Sequence, residues 1–353
     1  MTPRRTGLPS LEHLLQLTDD CGTIQHATFD VPNRAEGYCV DDVARALIVA
    51  VRMAAIEGLQ PATRKLAVTA LAFLHHAQRE DGRFHNFLGY DHRWLDDVGS
   101  EDAFGRALWA LGTALALAPE TSWRAHSRAM LERALPNTAT LEHLRPKAYA
   151  SLGLVMALGA NSRAGEMRTA LRALLDDLTA ARERHGDPSW RWFEPRMVYA
   201  NARLPEALLR GGAALGDSRA MALGAETLGF LESVTLERGL FVPIGNHGWY
   251  PRGGERAVYA QQPIEACAMV EAELAAYDAT QHDHHLYAAG IAFDWFFGHN
   301  LNGAVMVQGG GCRDGLERDC VNRNMGAEST LSYLLAAAAM ATRPVWEQRG
   351  VHR

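Results

Sequence analysis

The residues of this chain best suited to chemistry are acids set just ahead of apolar helical runs. Glu328 stands in NRNMGAESTLSYLL (Asn322 to Leu335), with Asn322 and Asn324 close by. A carboxylate there sits beside a positive helix end and can serve as general acid or base in a cleft. The plainer reading is that Glu328 or Ser329 caps the helix. Asp41 and Asp42 in YCVDDVARAL occupy the equivalent place near the N-terminus. One can cap while the other faces a cleft, and the adjacent like charge raises the proton affinity of one of them. Glu101 and Asp102 in GSEDAFGRAL repeat the pattern, with Ser100 as a competing cap.

Glu194 lies among Trp190, Trp192 and Phe193 in WRWFEP. Acid beside aromatic faces suits sugars, because a ring face stacks on a pyranose while hydroxyls need carboxylate and amide partners. A core aromatic cluster with a solvated Glu is the alternative. The densest polar-aromatic stretch contains Asn246, His247, Trp249, Tyr250, Arg252, Gln261, Gln262 and Glu265. Neutral amides fit hydroxyl recognition; the GGG run at 309–311 has no Walker or dinucleotide context, and no cofactor is expected. His282, His284 and His285 invite a metal reading, but they fall in a short turn away from the acidic loops and lack a complete ligand set, so no metal site is expected.

These residues need a scaffold, and apolar periodicity supplies one. First members of helix pairs are predicted at about 41–56, 102–117, 146–159, 202–215, 263–279 and 327–342, and partners near 62–78, 122–135, 165–184, 218–234 and 283–298. The sixth partner is missing after Thr342, where Pro344 stops the helix; Ser10 to Leu17 fills its place and closes a ring. Links within pairs are short, whereas loops between pairs run to about 20 residues or more, a length usually tied to function. That asymmetry predicts an all-α fold, an (α/α)6 barrel formed by residues 1–353 as a single domain, with all long loops meeting where the inner helices begin. The first nine or so residues are expected to be disordered.

Composition agrees. Of 353 residues 48% are hydrophobic and 22% charged, ordinary for a soluble globular protein, and the net charge of -6 gives no electrostatic footprint for nucleic acid. No apolar run approaches membrane-spanning length and no signal segment follows MTPRRTGLPS, so a cytoplasmic location is the default expectation. Five cysteines without CxxC spacing read as buried free thiols.

The chain resembles a family of bacterial (α/α)6-barrel carbohydrate-active proteins, found alone or joined to the C-terminus of a family-4 type glycosyltransferase. The resemblance rests on TDDCGTIQHATFDVPNRAEGYCVDDVARAL (Thr18 to Leu47), GSEDAFGRALWALG (Gly99 to Gly112), RPKAYA (Arg145 to Ala150), ANARLPEALL (Ala200 to Leu209), AQQPIEA (Ala260 to Ala266), FDWFFGHN (Phe293 to Asn300) and NRNMGAESTLSYLLA (Asn322 to Ala336). Met325 stands where that family usually has Gln. The layout also looks like inverting six-hairpin glycosidases, in which an Asp pair before an early inner helix is the base and a Glu before a late one the acid. The resemblance implies a glycoside hydrolase, or a related glycan-processing enzyme, acting on an oligosaccharide that weakly suggests mannose, with a functional link to a glycosyltransferase.

Glu328 is then expected as acid and Asp41 or Asp42 as base, with Glu101, Asp102 and Glu194 in reserve. Substrate contacts are expected from Trp192, Asn201, Arg203, Asn246, His247, Trp249, Tyr250, Gln261, Gln262, Glu265, Asn322 and Asn324. Two other functions fit the same barrel: a sugar 2-epimerase, which needs a paired His acid/base, and a non-catalytic glycan-binding module.

Overall fold

The computed structural model describes residues 8–160 and 164–343. Among them the chain forms twelve α-helices: α1 (Glu12–Leu17), α2 (Val40–Glu57), α3 (Pro61–Ala77), α4 (Glu101–Leu117), α5 (Thr121–Ala134), α6 (Leu144–Ala157), α7 (Ala164–His185), α8 (Arg203–Leu215), α9 (Ser218–Thr235), α10 (Pro263–Thr280), α11 (Asp283–Asp294) and α12 (Ala327–Ala341). Most of the segment expected to be disordered, and Pro344, lie outside the described residues.

The even-numbered helices pack side by side in the order α2, α4, α6, α8, α10 and α12, and α12 returns to α2. This is an (α/α)6 toroid. The odd-numbered helices back onto the ring, with α1 against α12 in the sixth outer place, where the sequence puts it. Inner helices have neighbours on all sides, which is why α12 carries LSYLLAAAAMA and is buried nearly throughout. At the α4–α6 crossing, Gly112 and Gly153 face each other, and a Cβ on either would overlap the backbone of the other helix. Glycine is required there by the closeness of the two backbones.

The element spans follow the predicted ones within a few residues, except that α11 stops at Asp294. Beyond it, Trp295 is buried and donates its indole N–H to Gln261, and Gly298 turns the chain at φ +96°. The long loops carry short two-residue ribbons, including Tyr38–Cys39 with Phe87–Leu88, and Gly315–Leu316 with Val321–Asn322. These pin the loops at the starts of the inner helices. No helix among the described residues is long and apolar enough to cross a membrane.

Candidate active site

The site is built at the ends where inner helices begin. The Tyr38–Cys39 ribbon feeds into α2, and neither Asp41 nor Asp42 caps that helix. Asp42 turns inward: its side chain is 5% exposed, accepts from Arg45 at 2.6 Å, and accepts from the Cys39 thiol at 3.1 Å. Burial pushes its proton affinity up, Arg45 opposes this, and the negative charge of Glu328 adds to it. Asp41 lies nearer solvent and pairs with Arg106 of α4 at 2.6 Å.

The same Arg106 Nη1 holds Asp102 at 3.0 Å, so one nitrogen bridges two carboxylates. Asp102 also accepts from the Tyr199 hydroxyl at 2.9 Å. Glu328, in the first turn of α12, makes no helix cap; its side chain is 41% exposed and pairs with Arg45 at 3.0 Å. Glu194 is held by Arg145 of α6 through two hydrogen bonds of 3.0 and 2.8 Å. Both carboxylate oxygens thus face one guanidinium nitrogen, Nη1. Three buried arginines on successive inner helices thus each grip a partly exposed acid.

One member of the site was missed by sequence reasoning. Asp314 sits between the ribbons of the last long loop and accepts hydrogen bonds from Ser329, from Asn322 at 3.4 Å and from Asn324 at 3.5 Å. Burial raises its proton affinity, Ser329 opposes, and Glu328 adds further repulsion. Asn324 also accepts the Ala27 N–H at 2.9 Å and lies 3.2 Å from the His26 ring. Asn322 and Asn324 thus spend part of their hydrogen-bonding capacity on Asp314.

Several expected site residues are instead structural. Trp192 is 0% exposed and offers no face to a ligand, because the WRWF run packs into the core. Glu101 accepts the backbone N–H groups of Glu142 and His143, which clamp the next loop, and Ser100 is the cap of α4. Although burial opposes it, these N–H groups hold Glu101 below the usual carboxylate range. Arg203 is buried in ion pairs with Glu206 and Glu271, both at 2.6 Å, beneath the face of Trp109. Gln261 is fully buried between Trp295 and the Val258 carbonyl.

Glu265 and Asn201 form one unit. Glu265 accepts the Ala200 and Asn201 N–H groups, holding the turn where Ala200 takes φ +48°. Burial pushes Glu265 up to about 7, with those N–H groups opposing. It also borders a small cavity of about 10 Å³ shared with Asn201, Phe241 and Met269.

The remaining expected contacts stay partly open. Trp249 is half-buried at φ +60°, Tyr250 is half-buried edge-on to Trp190, Gln262 precedes α10 without a side-chain cap, and Asn246 is half-buried with an unpartnered Oδ1. His247 is exposed, 3.9 Å from Glu317. The exposed aromatic residues on the loops ahead of α2 and α4 include Phe29, Phe87 and Tyr90. Tyr90 stacks on Tyr38 and lies under Arg34, while the Phe29 carbonyl accepts the Met325 N–H at 2.8 Å, three residues before Glu328.

No protein-family model matches the chain, and no curated protein does either. Solved structures share its architecture. It is similar to a sugar epimerase from a ruminal bacterium (TM-score 0.70, 12% identity, 97% of this chain and 96% of that one). A cellobiose 2-epimerase from Bacillus thermoamylovorans B4167 superimposes with TM-score 0.73 at 12% identity over 95% of each chain. A GH76 alpha-mannanase from Bacteroides thetaiotaomicron superimposes with TM-score 0.62 at 11% identity over 88% of each. These neighbours are (α/α)6-barrel carbohydrate-active enzymes, and at such identities the likeness shows the fold alone.

Proposed function

We propose that this chain is an inverting glycoside hydrolase acting on an oligosaccharide, with mannose-containing chains the first to test. Asp41 is the base, and the Glu328–Asp314 pair supplies the acid. The observation that carries the reading is the set of partly exposed acids at the starts of the adjacent helices α2 and α12, each oriented by a buried arginine. Asp41 takes a proton from water as its oxygen attacks the anomeric carbon. The C–O bond to the leaving sugar breaks, and that oxygen receives the proton held by the Glu328–Asp314 pair. Burial and the charge of Glu328 raise the proton affinity of Asp314 behind it, and Glu328 is the solvent-facing acid that meets the substrate. Asp42, buried against Arg45, is the weaker choice for the base. Phe29, Phe87 and Tyr90 supply ring faces in place of Trp192.

The test is a panel of manno- and gluco-oligosaccharides followed by proton NMR. Release of a sugar whose first-formed anomer is opposite to that of the substrate supports the reading. Net retention at that anomeric centre, or binding without turnover, refutes it; the latter outcome is the glycan-binding module.

A sugar 2-epimerase remains the second reading, favoured by the named fold neighbours. It calls for paired imidazoles, and among the described residues no histidine falls within an inner helix. His247 is one candidate, and His26, His85, His92, His143 and His299 also lie on loops that precede inner helices. The same NMR experiment separates it: the reducing-end sugar changes while the glycosidic bond stays intact.

A further inference from the structure

Away from the acidic cleft, α9, α10 and α11 bring two imidazoles and two carboxyls together. His284 Nε2 lies 2.8 Å from Glu232 Oε2, and His285 Nδ1 lies 2.7 Å from Glu273 Oε2 and 3.7 Å from Glu232 Oε1. The ligand atoms of Glu232, His284 and His285 all fall within 4.8 Å of one another. Glu273 is fully buried, yet its Oε1 has no hydrogen-bond partner, and neither does Glu232 Oε1. Among the described residues no lysine or arginine pairs with either glutamate. Burial and the nearby Glu232 charge push the proton affinity of Glu273 up, so Glu232 is the carboxylate that faces the two imidazoles with one buried oxygen unanswered.

We propose that Glu232, His284 and His285 bind one divalent transition-metal ion of the zinc class, which ties α9 to α11, with Glu273 of α10 held against His285. Two imidazole nitrogens with a carboxylate oxygen suit zinc better than magnesium or calcium, which favour all-oxygen shells. Tetrahedral bonds of roughly 2.0 to 2.2 Å place ligand atoms about 3.3 Å apart, and the 2.8 and 3.7 Å separations from Glu232 to the two rings bracket that spacing. The group lies away from the acidic cleft, so the ion takes no part in the cleft chemistry, and solvent completes its shell. His284, 57% exposed, gives the ion its route in. The histidine cluster alone lacks a complete ligand set; Glu232 adds a carboxylate to it from α9.

The experiment uses the whole chain without a histidine tag, stripped with chelator and titrated with zinc chloride by calorimetry, with thermal unfolding and X-ray absorption alongside. One zinc per chain is expected, in a shell of nitrogen and oxygen without sulfur, with a rise in Tm. The expected loss of affinity in His284→Ala and in Glu232→Gln is at least about a hundredfold, since even supporting residues around a metal contribute up to about that much. His284 is largely exposed, so its variant keeps the fold and isolates the binding effect. Absence of stoichiometric binding, a sulfur-containing shell that points to the cysteines, or affinity unchanged in His284→Ala overturns the proposal.

Discussion

Glu271 offers a sharp test of how the barrel interior is held. It lies on α10, is almost wholly buried, and pairs with Arg203 at 2.6 Å and with Arg52 of α2. Burial alone would raise its pKa; the two guanidiniums win and hold it down to about 2 from 4.5. That displacement corresponds to roughly 3 kcal/mol, at about 1.4 kcal/mol for each tenfold. The figure sits at the low end of what removing one partner of a buried ion pair costs. Glu271→Gln is therefore expected to destabilise the fold by about 3 kcal/mol at pH 7. With about 2.1 cal/mol/K of unfolding entropy per residue over 353 residues, the loss in Tm is about 4 °C. Because the folded pKa is depressed, the contribution is complete above about pH 4.5 and fades as pH falls toward 2. The gap between wild type and variant should shrink to about 1 kcal/mol near pH 3. Thermal unfolding of both proteins across that range reads it directly. A gap that is absent at pH 7, or that does not change with pH, would falsify the assignment of this energy to the buried pair.

Four further outcomes are expected. Asp41→Asn and Glu328→Gln should each lower turnover at least about a hundredfold while Tm moves by no more than about 2 °C, since Arg106 keeps Asp102 and Arg45 keeps Asp42; steady-state kinetics on the substrate found by NMR decides it, and full activity in either variant removes that residue from the mechanism. Glu265 should titrate with a midpoint near 7 by carboxyl-carbon NMR, and because its folded pKa is raised, it should withdraw stability as pH climbs from about 4.5 through 7; a midpoint near 4.5 contradicts this. Trp192→Ala should cost roughly 3 to 5 kcal/mol of stability. Phe29→Ala and Tyr90→Ala should instead weaken sugar binding by about 1 kcal/mol each with Tm unchanged, and calorimetry showing unaltered affinity would end their role as stacking faces.

The fold was legible because helical periodicity is a local signal and because Pro and Gly mark its ends. Even the use of α1 as the sixth outer helix follows from counting pairs. The site was legible only in part. Acids at inner-helix starts stood out by position, yet Asp314 is placed by two-residue ribbons that leave no periodic trace. Trp192 misled because an aromatic run beside an acid reads the same whether its rings face a cleft or fill a core; that choice depends on residues distant in sequence, such as those packed around the 196–197 and 250–251 ribbon. Glu101 and Glu265 misled for a related reason. Their oxygens satisfy backbone N–H groups 41 and 65 residues away, a demand that no local pattern announces.

The arginines were in view all along, in DDVARAL and EDAFGRAL, and their role explains why the acids come at those positions. Arg45 of α2 reaches back to Glu328 of α12, and Arg106 of α4 reaches back to Asp41 of α2. Arg145 of α6 holds Glu194, and its Nε donates to the carbonyl of Tyr199, whose hydroxyl binds Asp102 of α4. Each guanidinium thus fixes an acid belonging to a different element, so closing the ring and orienting the cleft carboxylates are achieved by the same contacts. Catalytic geometry is best held by side chains locked on rigid elements, and here the locking partners are themselves core residues of the barrel. A fold that closes without these arginines would leave the acids free to rotate in solvent, whereas these ion pairs hold Glu328, Asp41 and Glu194 in fixed orientations.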